Sequence, residues 1–128
     1  MLRLRDLQDE TNGFNSFIPL VYQTENNYLN VKEDLTAQEI LKTMAISRLM
    51  LDNFPSIKAY WVTSTVKLAL LSQEFGANDL DGTIEKESIN SAAGAASANG
   101  MKLTEFKSLI KNSGFDPVER DSLYNELD

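Results

Sequence analysis

The 128-residue chain contains no cysteine and no histidine. Those absences remove disulfides, thiolate and imidazole metal sites, iron-sulfur ligation by this chain and the usual nucleophile-histidine triads. Any chemistry it carries must use carboxylates, hydroxyls, amides, Lys, Arg or Tyr. No apolar run approaches the roughly 18 residues of a membrane-spanning helix. The opening MLRLRDLQDE has no apolar core followed by a small-residue cleavage site, so it does not read as a secretion signal, and the cytoplasm is the expected location. Cations are few: 12 Lys and Arg stand against 19 acidic residues, for a net charge of −7, and they are scattered along the chain. Neither nucleic acid nor membrane is therefore an expected partner. There is no GxGxxG, no GxxxxGK[ST], no internal repeat and no low-complexity tract.

The apolar pattern that is present alternates strand-like and helix-like segments. Leu2, Leu4 and Leu7 predict a helix over Met1 to Glu10, stopped near Asn12-Gly13. FIPLVYQ, Phe17 to Gln23, reads as a strand buried on both faces, with Pro19 at a bulge, a strand end or an open edge. After a polar loop, Thr36 and Glu39 match a capping box, and Ile40, Leu41, Met44, Ala45 and Leu49 recur at helical spacing over Ala37 to Leu51. IKAYWVT, Ile57 to Thr63, reads as a second strand, Val66 to Phe75 as a helix ended by Gly76, and Ala77 to Asp81 as a short third strand. Glu85 to Ala98 is a loop or a loosely packed helix. A helix capped by Thr104 runs to Asn112, with Gly114 and Phe115 forming a Schellman end against Ile110, and DPVERDSLYNEL is expected to add a helical turn or two. Strand, helix, strand, helix, strand, helix is the order of parallel βα units, so the fold class is α/β.

One six-residue run, DLDGTI, matches the start of a phosphatase signature. That chemistry needs the aspartates at the end of an apolar strand early in the fold, followed by a Lys and an acidic pair for magnesium. Here Phe75-Gly76-Ala77-Asn78 precede it and no adjacent acidic pair follows an apolar strand. An EF-hand register fails too, because it places Ala77 and Ser88 where carboxylates are required. Asn78, Asp79 and Thr83 on their own read as the turn out of a strand. Their position at the C-terminal end of a parallel strand, where α/β folds build sites, keeps Asp79 and Asp81 as candidates.

Taken together, RLRDLQDETNGFNSFIPLVYQTENNYL, ISRLMLDNFPSIKAYWVT, FGANDLDGTIEKESINSAAGA and GFDPVERDSLYNEL resemble the C-terminal portion of the aminofutalosine synthases. These are radical S-adenosylmethionine enzymes of the futalosine route to menaquinone. The cyclic dehypoxanthinyl futalosine synthases and deazaflavin synthases share the QDET-GF, LDN-P-I and FGAND patterns, while DLDGT and PVERDSLY favour the first family. The resemblance covers Arg3 to Leu127 and implies the last three strands of a radical-enzyme (β/α)8 barrel, with residues 1–128 a single partial domain. It implies S-adenosylmethionine and a [4Fe-4S] cluster in the intact enzyme, neither bound by this portion alone, since the CxxxCxxC motif is absent. The chain is therefore expected to be a fragment or one piece of a split enzyme, inactive by itself, with a non-catalytic interaction module derived from this family as the alternative. Its expected partner is the missing N-terminal half or a second copy, met through open sheet edges and an uncovered apolar sheet face.

The resemblance places the candidate substrate or S-adenosylmethionine contacts where strands and loops meet the barrel mouth. They are Gln23, Glu25 and Asn26 after the first strand, Thr63 after the second, and Asn78, Asp79, Asp81 and Thr83 after the last. Gln8, Glu10 and Thr11 form a further polar group, in which Glu10 either holds a ribose or makes a structural helix-end hydrogen bond. Arg120 reads as an ion pair anchoring the tail in preference to a ligand for a substrate carboxylate. Trp61, Met44 and Met50 read as core.

Overall fold

The computed structural model describes residues 1–25, 28–84 and 100–127. Helix α1 (Leu2–Thr11) ends where Asn12 takes the left-handed conformation, φ 47°, and returns its N-H to the Gln8 carbonyl. Asn tolerates that conformation better than most residues, which is why the helix stops there. Gln8, almost fully buried, then ties down the exit: its Nε2 donates to the Phe14 carbonyl at 2.9 Å and its Oε1 accepts from the Phe14 N-H at 2.8 Å. A side-chain amide thus pairs with a backbone as a strand would, and delivers the chain to β1 (Ser16–Phe17).

The expected strand over Phe17 to Gln23 is far shorter in the structure. Pro19 cannot donate to a ladder, and the chain leaves the sheet before it, so Leu20 is 65% exposed instead of buried on both faces. Pro19 itself lies just past a strand end on an edge, as its missing N-H requires.

Helix α2 (Ala37–Met50) has the full capping box: the Glu39 N-H donates to Thr36 Oγ1, and Glu39 Oε2 accepts from the Thr36 N-H at 2.8 Å. Such a cap stabilises by about 1 kcal/mol. Met44 and Leu51 enter the core with Phe54, and Phe54 stacks on Phe14 at 5.2 Å between centroids.

Central strand β2 (Ser56–Ala59) pairs in parallel with β1, Ser16 opposite Ser56, and with β3 (Asp79–Leu80), Lys58 opposite Asp79. The second expected strand is cut short, because Trp61–Ser64 forms a single helical turn, α3. Thr63 and Ser64 hydroxyls donate back to the Tyr60 carbonyl at 3.3 and 3.0 Å, which closes the turn, and Trp61 Nε1 is held by the Asp81 and Gly82 carbonyls at 3.2 Å each. Trp61 and Met44 are core residues, as expected, whereas Met50 is only half-buried.

Helix α4 (Val66–Leu71) continues as a 3-10 turn (Ser72–Phe75) ended by Gly76 at φ 96°. Helix α5 (Leu103–Asn112) starts at Lys102, so Thr104 lies inside the first turn and is not the cap. Its other end is the expected Schellman motif: Phe115 N-H to Ile110 O at 3.3 Å and Gly114 N-H to Lys111 O at 2.9 Å. The residues from Asp116 to Leu127 contain no helix. Asp121 captures the N-H groups of Leu123 and Asn125, an Asx-type alternative to helical bonds, and an antiparallel bridge joins Arg120 to Glu126. The stretch Glu85 to Ala98 lies outside the described residues.

The parallel strands alternate their faces. Ile57 and Ala59 join the apolar cluster with Met44, Leu51 and Phe106. Ser16, Ser56, Lys58 and Asp79 occupy the other face, which is therefore polar and not the apolar face expected from the sequence. The run SIKA already contained the alternation.

Candidate functional site

Lys58 is central to that polar face. Its Nζ lies 3.0 Å from Asp81 Oδ1 and 3.8 Å from Asp79 Oδ2, with only a tenth of the side chain exposed. Strand pairing explains the second distance, since Lys58 and Asp79 are register partners. Asp81 follows Asp79 by two residues and so leaves β3 on the same side.

Arg120 meets the same Asp79 carboxylate more closely, with Nη2 at 2.8 Å from Oδ2 and 3.1 Å from Oδ1. Its guanidinium carbon stands 4.0 Å from the Tyr124 ring centroid, and Lys58 Nζ stands 5.8 Å from the same ring. Two cations, two carboxylates and one aromatic ring thus form a closed group at the sheet. Burial pulls the Lys58 ammonium down, but the hydrogen bond and charge of Asp81, aided by Asp79, outweigh it and hold the group above the ordinary lysine range. Burial likewise opposes the charge of Arg120, and the Asp79 hydrogen bond and charge more than offset it. Both remain cationic at neutral pH.

The structure sorts the sequence candidates into separate places. Asn78 precedes β3 instead of following it, and its carboxamide is occupied at the strand starts: Oδ1 accepts from the Ile57 N-H at 2.9 Å and from Arg48 Nη2 at 2.6 Å, and Nδ2 donates to the Pro55 carbonyl at 3.0 Å. Asp79 lies within β3, buried under Arg120, and also does not stand after the strand. Asp81 and Thr83 do follow it. Gln23, Glu25 and Thr63 line a separate cleft of about 670 Å³ beyond the carboxyl ends of β1 and β2, where Gln23 Nε2 donates to the Thr63 carbonyl at 3.4 Å. Thr63 reaches that cleft from the α3 turn and not from a strand end.

Glu10 and Thr11 are exposed at the end of α1, in neither cleft, and Thr11 Oγ1 donates to the Leu7 carbonyl at 2.7 Å. Asn26 lies outside the described residues. Arg120 forms the tail-anchoring ion pair expected of it. Gln8, expected in a polar group with Glu10 and Thr11, instead clamps the Phe14 backbone. Nothing in the sequence motifs points to Lys58 or Tyr124 as a site residue, although a lone Lys between Ile57 and Ala59 is a readable sign of a polar strand face.

A second cleft, of about 560 Å³, runs along β3 between α5 and the C-terminal segment and is lined by Asp79, Gly82, Thr83, Phe106, Arg120 and Tyr124 among others. Among the described residues no group of three or more His, Cys, Asp or Glu is placed to hold a metal ion. Thiolate ligation of an iron-sulfur cluster is impossible for a chain without cysteine. No described helix is long and apolar enough to cross a membrane.

Comparison with known proteins gives these positions a setting. Residues 11–128 match the family described as the CofH/MqnC C-terminal region. The chain is 47% identical, over 99% of its length, to the aminodeoxyfutalosine synthase of Thermus thermophilus, of which it covers 35%. It is 40% identical, again over 99% of its length, to the aminodeoxyfutalosine synthase of Streptomyces coelicolor, of which it covers 36%. Identity to the cyclic dehypoxanthine futalosine synthase of Streptomyces coelicolor is 38%, over 97% of the chain and 31% of the relative. The chain therefore spans about a third of the length of the curated relatives it matches.

Proposed function

The chain belongs to the CofH/MqnC C-terminal region family, and from that premise we propose that it is the C-terminal portion of an aminodeoxyfutalosine synthase. Its three parallel βα units are the C-terminal part of a radical S-adenosylmethionine barrel. The intact enzyme would join the 5'-deoxyadenosyl group of S-adenosylmethionine, with methionine leaving, to a carboxyvinyloxy-benzoate, and rearrangement with loss of a carboxyl group would give aminofutalosine for menaquinone synthesis. The cluster of such an enzyme supplies the electron that cleaves S-adenosylmethionine, and its thiolates must come from outside these 128 residues. The carrying observation is the 47% identity across almost the whole chain. The readings as a cyclic dehypoxanthine futalosine synthase or a deazaflavin-pathway relative rest on lower identities, 38% and 39%.

On this reading the chain supplies one wall of the reaction cavity. Asp81 and Thr83 follow β3, and Gln23, Glu25 and Thr63 lie in the separate cleft beyond β1 and β2; both groups belong to the carboxyl ends of the strands, where barrel enzymes hold their ligands. The Asp81 carboxylate accepts hydrogen bonds from ligand donors such as ribose hydroxyls, while Gln23 and Thr63 shape the cleft wall. The partner is the cluster-binding N-terminal portion, which would pair with the outer edges of β1 and β3, against which no described strand lies.

A chimera tests this. The first two thirds of the Thermus thermophilus enzyme are fused to this chain, reconstituted with iron and sulfide, and assayed for aminofutalosine. Product formation is expected, with a loss of about tenfold or more for Asp81→Asn, since a hydrogen bond to a charged acceptor is worth roughly 1.5–3 kcal/mol. A chimera that folds, loads its cluster and cleaves S-adenosylmethionine yet makes no product overturns the reading.

A further inference from the structure

Lys58 has two carboxylates within reach and bonds the one that strand register does not favour. Asp79 is its cross-strand partner, whereas Asp81 lies two residues farther along the exit from β3. Yet Nζ is 3.0 Å from Asp81 and 3.8 Å from Asp79. The Asp79 side chain is the more buried of the two, 6% exposed against 21%. Left alone, a carboxylate that deep would have the stronger need of a cation.

Arg120 removes that need. Its Nη2 contacts both Asp79 oxygens, at 2.8 and 3.1 Å, and the guanidinium is held in place from two sides. Nη1 donates to the Asp121 carbonyl at 2.9 Å, and the plane carbon stands 4.0 Å from the Tyr124 ring centroid. The segment carrying Arg120 is itself internally fixed by the Asp121 carboxylate and by the Leu127 N-H to Glu119 O bond of 2.8 Å. Arg120 is thus a preorganised counter-ion, and like-charge repulsion turns the Lys58 ammonium away from the oxygens it occupies.

We infer that Arg120 is a positioning residue for Asp81, acting at a distance through Asp79 and Lys58. By occupying Asp79 it directs the Lys58 ammonium to Asp81 and fixes the orientation of the carboxylate that leaves β3 toward the site. The C-terminal segment is then part of the site's support as well as a cover for the sheet. The functional consequence rests on the reading of Asp81 as a ligand-facing residue, but the ion-pair switch does not, so the two can fail separately.

The test needs no substrate. In the isotope-labelled 128-residue chain, hydrogen-bond scalar coupling between Lys58 Nζ and a carboxylate carbon reports which aspartate holds the ammonium. The parent is expected to show coupling to Asp81. Arg120→Met is expected to move it to Asp79, and Arg120→Met with Asp79→Asn to return it to Asp81. A merely structural tail anchor predicts that the single and double variants behave alike. Arg120→Lys, which keeps a cation at Asp79, is expected to leave coupling at Asp81. Coupling that remains on Asp81 in Arg120→Met, or that is absent from Asp81 in the parent or the double variant, overturns the proposal. If Arg120→Met does not fold, the double variant and Arg120→Lys decide: coupling at Asp79 in Arg120→Lys, or none at Asp81 in the double variant, overturns it.

Discussion

Gly76 lies so close to Arg48 that a Cβ added to it would stand 2.6 Å from the Arg48 Cβ and 2.7 Å from its Cγ. The contact is drawn tight by Arg48 Nε, which donates to the Gly76 carbonyl at 2.9 Å, while the same guanidinium bonds the Phe54 carbonyl and Asn78. Gly76 also has φ 96°, where a side chain is strained. Gly76→Ala should therefore combine a left-handed penalty of roughly 1–2 kcal/mol with an overpacking cost of about 1–3 kcal/mol. A urea midpoint equivalent to a loss of about 2–4 kcal/mol is expected, and a loss below about 1 kcal/mol would show that α2 and the β3 entry are not held by this contact.

Gln8 should be as sensitive although it is nowhere near the clefts. Its amide satisfies both the N-H and the carbonyl of Phe14, so Gln8→Ala leaves two partly buried backbone groups unpaired, at about 1–3 kcal/mol each less whatever water recovers. Gln8→Glu keeps the acceptor for the Phe14 N-H and sets a carboxylate against the Phe14 carbonyl. Chemical unfolding should rank the parent above Gln8→Glu, and a Gln8→Ala variant as stable as the parent would contradict the clamp.

What the sequence revealed and what it hid divide only in part along local and non-local structure. The capping box at Thr36, the stop at Gly76 and the Schellman end at Gly114 involve partners within six residues, and each formed as expected. Strand ends were hidden even where the cause is local: Pro19, and the Thr63 and Ser64 hydroxyls on the Tyr60 carbonyl, shortened two strands that looked continuous. At the candidate site, Asn78 and Asp79 read as a strand exit because Asn, Asp and Gly are turn formers, whereas β3 begins just after Asn78 and contains Asp79. Arg48 and Arg120, 30 and 41 residues away, are what occupy them. The helical expectation for the tail failed because Asp121 offers the backbone a nearer acceptor.

Thr65 offers a test with opposite signs at one position. It holds φ 106° and ψ 151°, a region populated essentially by glycine, while its Oγ1 accepts from the Leu68 N-H at 3.3 Å. Strain of about 1–3 kcal/mol stands against a glycine entropy cost of about 0.5–1 kcal/mol and a cap change of a few tenths. Thr65→Gly should thus stabilise the chain by roughly 1 kcal/mol. Thr65→Ala keeps the strain, loses the cap and should destabilise by about 1 kcal/mol. Thermal midpoints moving in the same direction for both would refute the assignment of strain.

Acid should loosen the C-terminal segment first at Asp121. The carboxyl is held below the ordinary aspartate range by the Asn125 side-chain and backbone N-H groups, at 2.9 Å each, and by the Leu123 N-H at 2.8 Å. A depressed folded value means that this contribution is present above the unfolded aspartate value of about 3.9 and is lost as pH falls through the folded one. Amide exchange at Leu123 and Asn125, corrected for the intrinsic pH dependence, should therefore accelerate as pH drops below about 4. Asp121→Asn should show fast exchange already at pH 7, because the amide replaces one charged acceptor oxygen with a donor. Lys58 sets the opposite limit: its folded value is raised, so its contribution is complete below about 10.4 and is lost only as pH rises through the folded value. The segment should consequently open in acid while the Lys58–Asp81 pair remains charged on the lysine side. Exchange at Leu123 and Asn125 that stays constant from pH 6 to the acid limit would show that Asp121 does not organise the turn that carries Arg120.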